Sequence, residues 1–516
     1  MRKTIVPRRD RSAPRGMVLI LVLVVLAILT MGVFAFGDRM LAERNAARLN
    51  GRQTQARALA SSGVELLRTF LAQDAATRQD QGGTYNNSKL FQARLITDSD
   101  LKSDRGYFTV IAPLFSQDDS ANGFRYGLED ESARLNLNTL AYLDKLSPGY
   151  GHGLLMKLPG MTDDIADAIL DWLDPDDEPR EFGAEKDYYS GMTPPYAPKN
   201  GPLDSVEELL LVRGVTPELL FGDDVNRNGV LDGNESQAAS AITSSDGGGG
   251  AVRGWSGYLT LNSYESNLQP DGTPRININS KDLTQLQTDL KQAVDGGVAD
   301  FIIAYRQYGA YKGNQVGTSN STIDLDLTQA AKASFTTVLD LVDAKVQLRS
   351  STNQTTVVIS SPITSANAST MLSDIMDKLS TSTATKIPGR INVNQAPRAI
   401  LVGIPGMTEE IADAIISKRT AEVTADQPGR RHETWLLEEQ VVPDVATMKA
   451  LIPFINGGGD VFRAQIVGYF EEQGPAARFE VIIDASTPTP RIVLWRDITH
   501  LGRGYSVDVL GTQATQ

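Results

Sequence analysis

Residues 17–36 read MVLILVLVVLAILTMGVFAF and contain no charged side chain. An α-helix rises about 1.5 Å per residue, so this stretch would be about 30 Å long and would match the hydrocarbon core of a bilayer. The sixteen residues before it include six basic residues and one acidic residue. Because basic flanks remain in the cytoplasm, we expect a single membrane span with the rest of the chain outside.

A cleaved secretory signal is the alternative, since Val33-Phe34-Ala35 is an acceptable small-residue cleavage site. However, the apolar run is longer than the 7–15 residues of such signals. Apolar residues also recur at helical spacing beyond it, at Leu41, Leu49, Ala56, Leu59, Val64, Leu67 and Leu71. We therefore predict one helix over residues 17–76 that leaves the membrane and packs an apolar stripe on a soluble head.

Composition excludes several classes of protein. The 516 residues are 41% apolar and 22% charged, which suits about three or four folded domains and excludes wholesale disorder and a multi-span membrane protein. The absence of cysteine excludes disulfides, thiolate zinc sites, iron–sulfur clusters and cysteine nucleophiles. The net charge of −14 argues against binding to nucleic acid. No zincin, nucleophile-elbow or phosphate-loop motif occurs, so we expect a protein that is not an enzyme.

Three short patterns recur in the same order, which predicts three related helical modules. An Arg-apolar-Asn-apolar-Asn strand occupies residues 134–138, 275–279 and 390–394. A helix containing Ala-Asp follows at residues 165–170, 298–303 and 411–416, and a third pattern follows at residues 205–209, 337–341 and 434–438. In the first and third copies, Leu158-Pro-Gly-Met161 and Ile404-Pro-Gly-Met407 resemble helix-hairpin-helix turns. Acidic residues follow both turns and would repel phosphate, which favours a packing role over DNA binding.

Residues 224–235 match a twelve-residue calcium loop position by position. Side-chain oxygens lie at Asp224, Asn226, Asn228, Asp232 and Glu235, and Val230 would contribute its backbone carbonyl. Gly229 supplies the sharp turn, and Leu231 is expected to pack inward. The alternative is a solvated Asn/Gly turn; we predict a single structural calcium loop.

Period-two alternation predicts strands on both sides of the helical modules. They lie at residues 106–112 and 122–128 before the modules and at residues 462–470, 478–485 and 491–496 after them. Strands at both ends of a helical middle predict an α+β head with a large helical insertion.

The N-terminus resembles a prepilin signal, because Gly16 is followed by Met17, a charge-free run and a long amphipathic helix. Cleavage would fall between Gly16 and Met17, and the new amine would be methylated. Most pilins carry a glutamate at mature position five, where this chain has Leu21. That departure resembles the K-type minor pseudopilins of type II secretion.

The resemblance implies a pilin-like long helix with a small antiparallel sheet and SAM-like or helix-hairpin-helix modules. It implies a tip subunit that nucleates the pseudopilus and supports export of folded proteins. Its partners would be I-, J- and H-type minor pseudopilins, the major pseudopilin, the inner membrane and secreted substrates. Calcium is expected in the helical domain, so Asp174, Asp176 and Glu185 form a possible second metal site, with a solvated acidic loop as the alternative.

The expected domains are a leader (1–16), the long helix (17–76), pilin-like strands (77–133), module 1 with the calcium loop (134–237), a Ser/Gly linker (238–256), module 2 (257–348), a Ser/Thr-rich linker (349–386), module 3 (387–457) and C-terminal strands (458–516). The Ser/Thr-rich linker is expected to include a helical stretch at residues 369–379. Module 2 is an apparent extra copy. Two rival functions are a membrane-anchored DNA-uptake or type IV minor pilin that uses its hairpins, and a signal-anchored periplasmic enzyme.

Overall fold

The long N-terminal helix is the largest element of this computed structural model, which describes residues 15–115, 121–146, 148–230, 232, 235, 253–318, 325–349, 356–421, 423, 427–472 and 474–512. In chain order the helices are α1 (Arg15–Leu71), α2 (Ala75–Asp80), α3 (Ser88–Phe91), α4 (Leu137–Leu146), α5 (Tyr150–Leu155), α6 (Asp163–Leu173), α7 (Lys186–Ser190), α8 (Pro217–Phe221), α9 (Leu283–Ala293), α10 (Gly296–Tyr308), α11 (Ala368–Lys378), α12 (Arg398–Leu401), α13 (Glu409–Lys418), α14 (Trp435–Glu438), α15 (Val445–Leu451) and α16 (Val507–Leu510).

Strands enclose most of these helices in the sequence. They are β1 (Arg94–Thr97), β2 (Gly106–Phe115), β3 (Ala121–Arg125), β4 (Glu129–Asp130), β5 (Leu135–Asn136), β6 (Leu259–Thr260), β7 (Tyr264–Ser266), β8 (Ile276–Asn277), β9 (Lys345–Arg349), β10 (Thr356–Ser360), β11 (Leu379–Ser380), β12 (Lys386–Pro388), β13 (Ile391–Asn392), β14 (Ile455–Asn456), β15 (Val461–Phe470), β16 (Ala477–Asp484) and β17 (Arg491–Asp497).

One sheet joins the two ends of the chain. Its order is β1-β2-β15-β16-β17, with β3 paired to β2 and β4 paired to β15. The pairing of β2 with β15 is antiparallel and joins the residues before the helical insertion to those after it. The predicted α+β class is therefore confirmed. The strands predicted at residues 106–112 and 462–470 lie side by side, a pairing that the sequence does not predict.

The C-terminal part of α1 packs on this sheet. Leu59, Val64 and Leu67 are buried against β-strand residues such as Phe108 and Ile466. The approach is close enough that a Cβ at Gly468 would overlap the carbonyl of Ala56. Apolar burial of this kind is worth about 25 cal/mol per Å² and is the main force that holds the helix on the sheet.

The apolar stripe of α1 packs on the head over a shorter length than the sequence predicts. Leu41 and Leu49 are 59% and 60% exposed, because the sheet does not extend to that part of the helix. The helix also ends at Leu71 instead of residue 76. Asp74 accepts a hydrogen bond from the backbone N–H of Thr77 at 2.8 Å and so begins the separate helix α2.

The three Arg-Asn-Asn strands each form a two-residue parallel ladder with a distant strand. β5 pairs with β6, β8 pairs with β11, and β13 pairs with β14. Each ladder joins the first strand of a helical stretch to its last strand. The next Arg-Asn-Asn strand follows the first and second stretches, and β15 follows the third. The insertion is therefore three consecutive closed segments.

The asparagines make the same contacts in each segment. The first asparagine accepts from the backbone N–H of the second, at 3.0, 2.9 and 2.9 Å for the pairs Asn136–Asn138, Asn277–Asn279 and Asn392–Asn394. The second then donates from Nδ2 to a carbonyl shortly before the third sequence pattern, at Leu203, Phe335 and Arg430. These amides hold the residues just before the third sequence pattern against the start of each segment.

The helical stretch predicted at residues 369–379 is confirmed as α11, and the two predicted linkers are otherwise more structured than expected. Residues 356–380, inside the predicted Ser/Thr-rich linker, form β10, α11 and β11, and Leu372 and Ile375 are buried in the helical core. The amphipathic spacing of α11 outweighs its Ser/Thr content. Trp255, at the end of the predicted Ser/Gly linker, is buried and donates to the carbonyl of Pro159 at 2.8 Å. The Ser/Gly run itself lies outside the described residues, as do Leu231 and residues 1–14 of the leader.

Candidate functional site

The first half of α1 is a candidate membrane anchor. The helical stretch Val18–Leu71 has a mean hydropathy of 3.1 over its most apolar 18 residues, none of which is buried. Leu21 is 63% exposed within it. The backbone at Gly16 and Met17 is already helical, so the predicted cleavage position lies in the first turn of α1.

The predicted calcium loop folds around the carboxylate of Asp224. Its Oδ1 accepts from the backbone N–H of Asn228 at 3.0 Å, and its Oδ2 accepts from that of Gly229 at 2.7 Å. Gly229 has φ +84°, a conformation that favours glycine. Asn228 Oδ1 accepts in turn from the N–H of Val230 at 2.8 Å. The loop therefore turns at Gly229, as its sequence predicts.

Asp232 and Glu235, at the other end of the loop, accept hydrogen bonds from its first half and from each other. Glu235 accepts from the backbone N–H groups of Asn226 at 3.1 Å and Asp232 at 3.0 Å. Asp232 accepts from the side-chain amides of Asn226 at 2.6 Å and Asn228 at 3.2 Å. Asp224 and Glu235 are 5% and 4% exposed, and burial raises the pKa of Asp224.

These contacts leave the loop closed on itself through hydrogen bonds. Among the described residues, no three His, Asp or Glu side chains are spaced as a metal centre requires. The donor set nevertheless consists of carboxylate, amide and carbonyl oxygens, the ligands that calcium prefers. Binding of an ion would require Asn226 and Asn228 to turn their Oδ1 atoms inward in place of Nδ2.

The loop is attached to the sheet by residues that the sequence analysis did not identify. Arg478, on β16, donates from Nη2 to the carbonyls of Asn226 at 2.6 Å and Arg227 at 2.7 Å. Gln465, on β15, donates to the carbonyl of Arg227 at 2.7 Å. Arg478 is fully buried, and burial lowers its pKa. The sequence does hold one indication of this role: Arg478, Glu480 and Asp484 lie on one face of a strand whose other residues are all apolar.

The carboxylates predicted as a second metal site lie near the guanidinium of Arg180. Its guanidinium lies 3.1 Å from Asp144, 3.4 Å from Asp171 and 3.5 Å from Asp174. Asp171, which the prediction did not include, is fully buried. The helical spacing of Asp171 and Asp174, three residues apart, places both on one side of α6 and its end.

Glu185 is the unusual member of this cluster. It is 4% exposed, and neither of its carboxylate oxygens has a hydrogen-bond partner among the described residues. Burial and the carboxylates of Asp171 and Asp174 raise its pKa to about 7. Burial and the carboxylate of Asp176 likewise raise the pKa of Asp174 to about 6. Asp176 is exposed, and its carboxylate acts on Asp174 through its charge, while its backbone N–H partly offsets that effect.

A buried ionic network links the first Arg-Asn-Asn strand to the sheet. Arg134 lies 2.6 Å from Glu129 and 3.1 Å from Glu131. Arg463, on β15, lies 2.7 Å from Glu131 and 2.8 Å from Glu480. Glu131 is fully buried, so each partner in this network is needed to compensate the charge of the next.

Comparison with known proteins identifies the first closed segment. The family model "Type II secretion system (T2SS), protein K" matches residues 133–221. Type II secretion system protein K of Pectobacterium carotovorum subsp. carotovorum is 28% identical over 214 residues, which are 40% of this chain and 61% of that protein. The protein of the same name from Pseudomonas aeruginosa is 34% identical over 102 residues, or 18% of this chain and 31% of that protein.

The chain thus spans less than two thirds of the length of these relatives. Among solved structures, the GspK-GspI-GspJ complex of enterotoxigenic Escherichia coli aligns with 89% of this chain and 99% of that chain at 12% identity. Its TM-score of 0.35 is too low to carry a conclusion. By the family match and the sequence relatives, the chain is related to type II secretion system protein K.

Proposed function

We propose that this protein is a minor pseudopilin of the type II secretion system, at the tip of the pseudopilus. The observation that carries the proposal is the family match at residues 133–221 inside a chain whose first helix can span a membrane and then packs on a sheet. In this role the protein helps to nucleate the pseudopilus and supports export of folded proteins. Its role is structural and requires no catalytic residue.

The proposed partners are the I-, J- and H-type minor pseudopilins and the major pseudopilin, with secreted proteins as further contacts. The leader would lie in the cytoplasm, α1 would cross the inner membrane, and the head would lie in the periplasm. A peptidase would remove residues 1–16 between Gly16 and Met17, and the Met17 amine would be methylated.

The three closed segments support a repeated architecture. Each begins with an Arg-Asn-Asn strand, contains a pair of packed helices (α5 and α6, α9 and α10, α12 and α13) and ends on a parallel ladder. We infer that they are related modules of helix-hairpin-helix or SAM-like type, used for packing. The family match at residues 133–221 covers most of the first module.

Calcium is the proposed ligand of the 224–235 loop. Asp224, Asn226, Asn228, Val230, Asp232 and Glu235 would hold it, and the ion would fix the loop whose carbonyls Arg478 holds on the sheet. A second cation at Asp174, Asp176 and Glu185 stays a proposal, in which the ion would compete with the guanidinium of Arg180 beside Asp174. The two unpartnered oxygens of buried Glu185 support this second site.

The experiment is deletion of the gene in its own bacterium, followed by complementation. Deletion should abolish release of type II substrates, and the wild-type chain should restore release and co-purify with the I- and J-type pseudopilins. A Gly16→Val chain should remain uncleaved and fail to restore release, whereas Ala13→Val, a matched leader variant, should succeed. Normal secretion by the deletion strain would refute the proposal.

A further inference from the structure

A cleft lies where the head meets the second and third closed segments. Its volume is about 540 Å³, within the range of about 300–1,000 Å³ that is usual for ligand-binding pockets. The turn after α1 and the helix α2 form one wall, and β7 with the chain that leads to Arg275 forms another. The end of α11, the first strand of the third segment and the glycines at residues 457–459 complete the cleft. Its described lining includes none of the residues predicted to bind a metal.

Arg275 in this cleft differs from the other two arginines of the repeated strand pattern. The three copies of the pattern begin with Arg134, Arg275 and Arg390. Arg134 and Arg390 each form ion pairs with two glutamates, which are Glu129 and Glu131 for the first arginine and Glu265 and Glu433 for the second. Arg275 forms no ion pair and no side-chain hydrogen bond with any described residue. The middle copy of the pattern therefore keeps its cation without a counter-charge in contact.

The repeat indicates which chemical group would complete Arg275. At both equivalent positions the partner is a carboxylate, and guanidinium groups form their strongest, often paired, hydrogen bonds with carboxylates. Arg275 is half-buried, and its Nε is buried without an acceptor among the described residues. A charge that is partly removed from water without a partner is unfavourable, so a carboxylate that enters the cleft would stabilise it.

The carboxylates of the cleft itself are already engaged with other groups. Asp377 lies 2.6 Å from Arg431 and 2.7 Å from His432, and Asp460 lies 3.2 Å from Arg78. The described lining holds six carboxylates and four arginines. This surplus of negative charge repels a doubly charged phosphate more than a singly charged carboxylate. The ligand should therefore carry one carboxylate among neutral or basic groups.

We propose that this cleft binds a peptide segment of another protein through one carboxylate, which pairs with Arg275, with neutral or basic residues on either side of it. The cleft suits a peptide because it also presents the apolar side chains of Leu268 and Met376. The main chain at Gly458 lies open beside them, since a Cβ there would meet only Asp130, at 3.9 Å. The inference goes beyond the proposed function, because the site lies within a single chain and requires no pseudopilin partner.

Retention of peptides on the immobilised full-length chain, in a non-ionic detergent, tests the proposal. The probes are pools of acetylated and amidated hexapeptides with random neutral or basic residues around a fixed central glutamate or glutamine. The glutamate pool should be retained about tenfold more than the glutamine pool, because a hydrogen-bonded ion pair is lost with the carboxylate. A third pool, with central glutamine and a free C-terminal carboxylate, compares the two sources of that group. Equal retention of this pool and the glutamate pool would support the site and make a chain terminus an equal ligand.

Variants of Arg275 then test the ion pair. Arg275→Gln should reduce retention of the glutamate pool to that of the glutamine pool, and Arg275→Lys should restore part of it, since lysine keeps the charge without the paired donors. Arg94→Gln is the matched control, because Arg94 donates to the carbonyl of Lys89 at 3.0 Å and lies outside the cleft. Arg275→Gln should melt within about 2 °C of wild type, since no ion pair is lost, so that lost retention cannot be attributed to unfolding.

Three outcomes would overturn the inference. Equal retention of the glutamate and glutamine pools by the wild-type chain would exclude a carboxylate site. Retention of the glutamate pool that is indifferent to Arg275→Gln would place binding elsewhere on the surface. Complete displacement of the pool by an equal concentration of free glutarate would make the ligand a small dicarboxylate and not a peptide. Because the assay contains no pseudopilin partner, its result is independent of the secretion experiment that tests the proposed function.

Discussion

At the scale of single residues, Asp224 decides whether the loop at 224–235 is a calcium site. We expect Asp224→Asn to lower the melting temperature by several degrees in calcium and by much less in chelator. The physical reason is mass action, since an ion at 100 times its Kd adds about 2.7 kcal/mol to the stability of the native state alone. Asp223→Asn, at the neighbouring residue outside the ligand set, is the control. Equal melting of the wild-type protein with and without calcium would make the loop a simple turn.

Glu480 carries a prediction about acid stability. Burial alone would raise its pKa, but Arg463 and Arg496 outweigh burial and hold it below the ordinary value of 4.5. The ionised group therefore contributes stability above about pH 4.5, and that contribution is lost as the pH falls through the lower, folded pKa. We expect Glu480→Gln to cost about 3 kcal/mol at neutral pH, because it leaves Arg463 short of a buried partner.

The measurement for Glu480 is denaturant unfolding at a series of pH values from about 7 to about 3. The difference between wild type and Glu480→Gln should shrink toward the acid end. Glu472→Gln, at an exposed position, should stay within about 0.5 kcal/mol of wild type throughout. A constant deficit for Glu480→Gln at every pH would assign its effect to packing and not to charge.

A functional residue can be predicted from the sequence when the groups it contacts lie close to it along the chain. The turn of the 224–235 loop at Gly229 could be predicted because it depends on twelve consecutive residues of known spacing, whereas its calcium ligands stay a prediction. Asp171 was missed, since its importance arises from burial against residues 180–185 and not from its neighbours in the sequence. Arg478 was missed for the same reason, as the carbonyls that it holds are about 250 residues away.

At the scale of elements, the contact of α1 with the sheet depends on Gly468. A Cβ there would overlap the carbonyl of Ala56 and the backbone nitrogen of Ala60, which cannot rotate away. We expect Gly468→Ala to destabilise the head by more than 2 kcal/mol, in the range of overpacked cores. Gly63→Ala should cost less, since its Cβ would meet the side chains of Ile466 at 2.6 Å and Phe108 at 2.9 Å.

Gly153 provides the control for this comparison. It lies within α5, and nothing stands within 4 Å of its Cβ position, so Gly153→Ala should be neutral or slightly stabilising. Thermal unfolding of the detergent-extracted chain, followed by tryptophan fluorescence, measures all three variants. If Gly468→Ala melted like Gly153→Ala, the close approach of α1 to β15 would be wrong.

Elements with a strong local period were predictable, and their pairing across the chain was not. The strands at residues 106–112 and 478–485 were found within a few residues because their alternation is visible in sequence. The two-residue ladders such as β8 with β11 join segments about 100 residues apart and have no local signal. The helix at Ala368–Lys378 is predicted within one residue at each end, because its amphipathic spacing is visible inside a Ser/Thr-rich composition.

At the scale of the whole molecule, the helical segments are inserted into the α+β head without interrupting its sheet. The chain leaves the sheet after β4 and returns at β15, and both strands pair with each other. The ionic network of Glu131, Arg134 and Arg463 lies beside that exit point. The insertion thus begins and ends at these paired strands, and its first segment also contacts β15 and β16 through Gln465 and Arg478.

Given the proposed function, the membrane anchor and the head together indicate where this subunit lies in a filament. A carboxylate inside a bilayer costs roughly 2.5–3.5 kcal/mol unless it is paired, and in ordinary pilins the glutamate at mature position five finds the terminal amine of a neighbour. Leu21 carries no such charge and so requires no neighbour on its far side. The helical insertion, which occupies most of the chain between β4 and β15, would also obstruct a subunit stacked above the head.

We therefore expect this protein once per pseudopilus, at one extremity. Gold labelling of an affinity-tagged chain on isolated pseudopili should place a single label at one end, whereas labelled major pseudopilin should decorate the shaft.

The Leu21→Glu variant separates the two causes of the tip position, the uncharged anchor and the large head. If it remains at the end, the bulk of the insertion is sufficient to stop growth; if it spreads along the shaft, the missing carboxylate is decisive. Wild-type labels at regular intervals along the shaft would contradict the tip position altogether, because both the uncharged anchor and the large head would then be compatible with subunits on either side.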